Sequence, residues 1–189
     1  MVDDLFTKEN VGPLIKVGAA AERLAEPGLS VEHAAGQLRG LASRGLVYSS
    51  GQIGTGRTAH KLYSLPDLGV AKILSMLTVD LGISKPLILQ WVQSQLYSWG
   101  DHYTKTDSRY RGAIHAAMAG VARGEFWVCR IDICRSDQSG NEIIRTYLYD
   151  SEKGPPKSSD VGEFLPRQSI TMPLWPIFTR LLADRSKAN

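Results

Sequence analysis

Cysteine is scarce in this chain, with two thiols among 189 residues, Cys129 and Cys134. They stand five apart in a segment that reads as a strand, and an odd separation sends side chains to opposite faces. That argues against a disulfide between them and against a shared metal. Two free, at least half-buried thiols in a reducing compartment are expected. The chain also lacks any apolar run of about 18 residues, so no membrane span is expected. Its opening, M-V-D-D-L-F-T-K-E-N, is acidic rather than basic like a signal peptide. The cytoplasm is the expected location.

Catalytic patterns are missing too. There is no Gly-x-Ser-x-Gly, no His-Glu-x-x-His and no Cys-x-x-Cys, and the carboxylates are scattered. An enzyme shows some cluster of reacting groups, so neither an enzyme nor a cofactor is expected. The run Gly51-Gln52-Ile53-Gly54-Thr55-Gly56-Arg57 superficially resembles a phosphate loop but lacks the Gly-Lys-Ser/Thr ending. Asp101, His102 and Asp107 sit close together in a polar turn over residues 100–108, in a spacing that fits no metal-ligand pattern. A large charge surplus is absent as well: 22 basic residues face 19 acidic ones, a net charge of +3. What remains, at 43% apolar and 22% charged, is an ordinary globular composition long enough for one large domain or two small ones.

The informative stretch covers residues 19–65. A first helix over about residues 19–26 is stopped by Pro27-Gly28, because proline has no N–H to continue the ladder and glycine tolerates a left-handed stop. Ser30 is a good N-cap for a second helix. Val31, Ala34, Leu38, Leu41 and Ala42 then recur three or four apart and form a buried stripe. Glu32, His33, Gly36, Gln37, Gly40 and Ser43 occupy the opposite face, and Gly45 closes the helix. Leu46-Val47-Tyr48 reads as a strand, residues 49–58 as a flexible glycine-rich tip and Leu62-Tyr63 as the returning strand. Between residues 31 and 66 there is one acid, Glu32, against Arg39, Arg44, Arg57 and Lys61. Clustered bases matter more for phosphate binding than a high total. Solvated surface charge is the plainer alternative.

The run L-S-V-x-x-A-x-x-x-L-x-x-L-x-x-R-G-L-V resembles winged helix-turn-helix transcription regulators, in which the helix before R-G-L-V is the recognition helix. More narrowly, the order of Leu38-Arg39, Gly45-Leu46, Arg57, Leu62-Tyr63-Ser64, Asp67-Leu68 and Leu81-Gly82-Ile83-Ser84 is similar to the MerR group. The MerR-like part spans about residues 29–84; residues 85–189 resemble no family. The resemblance implies a DNA-binding regulator whose second helix enters the major groove by its N-terminal half. Ser30, His33, Gly36 and Gln37 would face base edges, with Gln37 pairing bidentately with adenine and His33 donating to guanine. Arg39, Arg44, Arg57 and Lys61 would contact phosphates. Gln52, Thr55 and Thr58 complete the candidate contacts of the wing. The rival reading is a winged helix that docks another protein, favoured if its exposed face is apolar rather than basic.

Around this stretch, residues 5–18 read as an N-terminal helix packing on Leu5, Phe6, Val11, Leu14 and Ile15. Ser64 caps a third helix with Pro66 and Asp67 in its first turn. Leu68, Ala71, Ile73, Leu74, Leu77 and Leu81 are its apolar residues, and Gly82 is its stop. A helix over about residues 86–103 is apolar over more than one stripe, which suits a core or a subunit interface. Helix-turn-helix regulators usually bind as two-fold dimers, so this helix pair is the expected dimer contact. A helix over residues 109–121 follows, with His115 beside its stripe, packed or half exposed rather than catalytic. A hairpin over residues 125–149 has Trp127, Cys129, Ile131 and Ile133 on a dry face. Phe126, Val128, Arg130, Asp132 and Cys134 lie on a mixed one. A long polar loop over residues 151–167, a short strand at 169–172 and a last helix from Pro176 complete the chain. The expected class is α+β: a winged helix-turn-helix over residues 1–66, a helical connector over 67–104 and a helix with a small antiparallel sheet over 105–189. The last part would contact a copy of itself, a protein partner or a small effector.

Overall fold

The computed structural model describes residues 6–56, 59–100, 106–136, 139–155 and 164–183. It is an α+β fold of six helices and two three-stranded antiparallel sheets. The expected N-terminal helix is not formed. Phe6 and Gly12 both have left-handed backbones, at φ 62° and 77°, and Pro13 follows, so no helical ladder can propagate there. Instead Phe6 plugs the core at 1% exposure, and Lys8 N–H donates to the Arg109 carbonyl at 2.9 Å. The segment ends in a two-residue strand, β1 (Ile15–Lys16).

Helix α1 (Val17–Leu24) turns Ala20, Ala21 and Leu24 inward. The expected stop at Pro27-Gly28 comes earlier: Ala25 is already extended, at ψ 143°, and Pro27-Gly28 instead make the tight turn that follows, with Gly28 at φ 90° and Glu26 and Leu29 exchanging both backbone hydrogen bonds. Ser30 caps α2 (Val31–Ser43) by accepting the N–H of His33 at 3.2 Å. Ala34, Ala35, Leu38 and Leu41 are buried, while Val31 is 45% exposed and so stands outside the stripe assigned to it. Gly45, at φ 69°, closes α2 in a Schellman motif: Gly45 N–H bonds to the Ala42 carbonyl and Leu46 N–H to that of Leu41. Leu46 and Val47 are therefore the buried anchor of a helix stop rather than a strand. The hairpin begins later, with β2 (Gly51–Ile53) and β3 (His60–Tyr63). Strand order is β1-β3-β2, with Ile15 opposite Tyr63 and Gln52 opposite Lys61.

Ser64 and Asp67 form a reciprocal capping box at the start of α3 (Leu65–Ser75). Every residue from Leu65 to Leu74 is buried. The helix runs on through a π turn over Met76–Asp80 and stops at Gly82, as expected, but Leu81 is 50% exposed. Helix α4 (Pro86–Tyr97) is shorter than the expected span. Helix α5 (Ala113–Ala122) is buried from Ala113 to Val121, His115 included. Strands β4 (Trp127–Ser136) and β5 (Glu142–Asp150) form the expected hairpin. Strand β6 (Phe164–Pro173) is longer than expected and lies on the far side of β4, giving the order β5-β4-β6. Helix α6 (Trp175–Leu182) is the last element among the described residues.

Cys129, Ile131, Ile144, Leu148 and Met172 join the helices in one continuous core that reaches from Phe6 to Leu181. Ile133, assigned to the dry face, is half-buried at its edge, beside a bulge between Ile133 and Cys134. The mixed face is drier than expected, since Asp132, Cys134, Arg145 and Tyr147 are all buried. Helix α4 also seals the edge of β5: Gln95 donates to the Ile144 carbonyl at 2.7 Å and accepts Thr146 N–H at 2.6 Å. At Gly69, an added Cβ would meet Met118, Phe178 and Ile114 at 3.1–3.3 Å, so α3 packs closely on α5 and α6.

Candidate nucleic-acid interface

The outward face of α2 and the β2–β3 hairpin carry the candidate residues. Ser30 and His33 are exposed, but their side chains serve the cap. Ser30 Oγ accepts His33 N–H and lies 3.0 Å from His33 Nδ1. Gly36 and Gly40 stand at the middle of the face, and a Cβ at either would meet nothing within 4 Å. The centre of the helix is thus bare backbone, not forced by any internal contact. Gln37 departs from its expected place. It is half-buried and its Oε1 accepts Ser75 Oγ at 2.8 Å, so it belongs to the seam between α2 and α3 rather than to the outward centre.

Arg39 and Arg44 are exposed on either flank. Arg39 lies near enough to β3 to favour the ionised form of Tyr63; burial first, then Asp67, outweigh it and hold that phenol above its ordinary range. Arg44 Nε turns back to the Gly40 carbonyl at 3.2 Å. On the hairpin, Gln52, Thr55 and Lys61 are exposed, and Gln52 and Lys61 face each other across the strands. Arg57 and Thr58 lie outside the described residues. His60 and Ile53, outside the expected contact set, form an exposed cross-strand pair next to the tip. Two polar residues precede two apolar ones in His60-Lys61-Leu62-Tyr63, so no alternation marked the pair.

The root of the hairpin is fastened by Asp67. Its Oδ2 accepts Ser64 N–H at 2.7 Å, Ser64 Oγ at 2.7 Å and Ser50 Oγ at 2.6 Å; its Oδ1 accepts the Tyr97 hydroxyl at 3.1 Å. The Tyr97 oxygen in turn accepts Tyr48 N–H at 3.1 Å, and the two rings lie 4.7 Å apart. Burial, with the Asp67 charge beside it, pushes the Tyr97 phenol far above its usual range, so it stays a donor.

No group of three metal-ligating side chains occurs among the described residues. Asp107 is held by Arg109 through bonds of 2.6–3.1 Å, which keep its carboxyl below the usual range, while Asp101 and His102 lie outside the described residues. Both cysteines are free and buried, and burial pushes the Cys129 thiol up to about 12. The glycine-rich run over residues 51–57 leads into β3, not into a helix. Comparison with known protein families, with curated proteins and with solved structures returns no match.

Proposed function

We propose that this chain is a winged helix-turn-helix regulator that binds double-stranded DNA through α2 and the β2–β3 hairpin. The observation that carries this reading is the order β1-β3-β2 around α1, a tight turn and α2. A short strand leads straight into two helices, and a hairpin returns to pair with that strand. Arg39, Arg44 and Lys61 are exposed on this part of the molecule, and Glu32 is the one acid between residues 31 and 66. Phosphate contacts by these bases would position α2 on the duplex. Base reading falls to the N-terminal end of α2, to the exposed His33, because the centre is glycine. The role is binding rather than catalysis, and the location is the cytoplasm; among the described residues no helix is long and apolar enough to cross a membrane.

Dimerisation is part of the proposal. Helix α3 is enclosed by the chain's own core, so a second copy would use Val79, Leu81 and Leu87, which are 50–62% exposed at the junction of the π turn and α4. One observation favours the rival, protein-docking reading: Gly36, Gly40 and Ser43 leave a smooth face on which another helix could pack closely. Fluorescence anisotropy of the full chain on pooled random duplexes, across a salt series, decides between them. Binding that weakens steeply with salt supports DNA. Absence of binding at low salt overturns it in favour of a protein partner.

A further inference from the structure

Lys72 is the one charged side chain buried along α3 besides the capping Asp67. Its side chain is 10% exposed. An ammonium has three donors, yet among the described residues its one acceptor is Glu26 Oε1. Glu26 is shared: its Oε2 accepts Arg180 of α6 at 3.0 Å. Arg23 of α1 points to the same place and donates to the Leu181 and Ala183 carbonyls at the end of α6. These four residues line a cleft of about 90 Å³ between α1, α3 and α6, together with the apolar Leu24, Pro176, Ile177 and Leu181. Three cations and one carboxylate therefore line the cleft together with apolar side chains, and two of the cations, Lys72 and Arg180, share that carboxylate.

Two donors on a nine-tenths buried ammonium call for acceptors, because an unmet buried charge is costly. Water could fill the space, but it would bring no negative charge to offset the excess of cations. A single carboxylate supplies both the acceptors and the charge. The apolar lining suits a short hydrocarbon tail and opposes a dianion such as phosphate, which needs donors on every side.

We propose that this cleft binds a small aliphatic monocarboxylate, with Lys72 and Arg180 as its anchors and the tail against Pro176 and Ile177. Glu26 is the resident competitor for both cations. It stands in the turn between α1 and α2, paired with Leu29, so a ligand that draws Lys72 and Arg180 away from it loosens the contact that ties this turn to α3 and α6. That regulatory consequence rests on the winged-helix reading above; binding in the cleft does not.

The test is isothermal titration of the full chain with isobutyrate, its neutral isostere isobutyramide, and inorganic phosphate. One saturable site for isobutyrate, with Kd on the order of 1 mM, and at least tenfold weaker binding of the amide are expected. Lys72→Met should abolish the isobutyrate heat. Glu26→Gln keeps the shape, removes the competitor and should tighten binding about tenfold, which keeps the test decisive if Lys72→Met does not fold. Equal binding of acid and amide, preference for phosphate, or unchanged affinity in Glu26→Gln would overturn the proposal. Anisotropy on duplex DNA is measured in parallel. Isobutyrate binding without DNA binding keeps the cleft and removes only its regulatory role; DNA binding without isobutyrate binding does the reverse.

Discussion

Tyr97 on α4 donates its hydroxyl to Asp67 at the start of α3, and so ties the second half of the chain to the root of the β2–β3 hairpin. The same oxygen takes the N–H of Tyr48, the residue that leaves the α2 stop toward β2. Tyr97→Phe keeps the ring beside Tyr48 but removes both bonds and leaves Asp67 one donor short. A loss of about 1–3 kcal/mol is expected, read as a lower urea midpoint at unchanged slope. Hydrogen exchange of the β2 and β3 amides should quicken more than that of β4. Uniform quickening would mean that the bond stabilises the fold without holding the hairpin in particular.

His115 predicts an acid-sensitive stability. Burial, with the charge of Arg111 adding to it, lowers its pKa to about 4 from the ordinary 6.5. Its Nδ1 has no partner among the described residues. The unfolded chain therefore takes up a proton below pH 6.5 that the folded chain refuses until about pH 4. Stability is full above pH 6.5 and falls as the pH drops through this window, by about 1.4 kcal/mol per unit. The total is on the order of 3 kcal/mol. Urea unfolding at pH 7.5, 5.5 and 4.5 measures it. His115→Leu should flatten the fall; an equally steep fall in that variant would assign the acid sensitivity to other groups.

The parts of the fold set by neighbouring residues were legible in the sequence. Ser30 and Ser64 cap the helices that follow them, Pro27-Gly28 make the turn between α1 and α2, and Trp127–Ser136 pairs with the strand immediately after it. The parts set by distant contacts were not. Leu46-Val47-Tyr48 has the composition of a strand, yet Leu46 N–H goes back to the Leu41 carbonyl and makes the triplet a helix stop. Phe6 accepts a left-handed backbone because its ring is buried in the core. Strand β6 crosses to the outer side of β4, which no local pattern announces. The candidate site divides the same way. The exposure of Arg39, Arg44 and Lys61 follows from helix and strand periodicity. The turn of Gln37 toward Ser75, thirty-eight positions later, does not.

That orientation of Gln37 changes what mutagenesis of the interface should give. Arg39→Ala and Lys61→Ala should each weaken binding to all duplexes alike and reduce the salt slope by about 1. Gln37→Ala should leave sequence preference unchanged and instead cost about 1 kcal/mol of stability through the lost Ser75 bond. Selection of bound duplexes from a random pool, with wild type and with Gln37→Ala, makes the comparison. A relaxed preference at one position would show that Gln37 leaves Ser75 when DNA is bound.

The glycines of α2 give the sharpest separation between folding and binding. Neither Gly36 nor Gly40 has a neighbour that a Cβ would strike, and neither has the positive φ that would exclude a side chain. Within the chain alone, each weakens the helix by about 1 kcal/mol relative to alanine. Gly36→Ala should therefore raise the urea midpoint, and the double Gly36→Ala, Gly40→Ala variant should raise it further. A residue that lowers stability without an internal reason points outward, to a partner whose approach a side chain would obstruct. Gly36→Leu should fold as well as Gly36→Ala and yet lose DNA affinity on the order of tenfold. Measured on the same random duplexes, unchanged affinity in Gly36→Leu would mean that α2 does not meet the duplex by this face. The glycine stripe would then be left to contact with another protein.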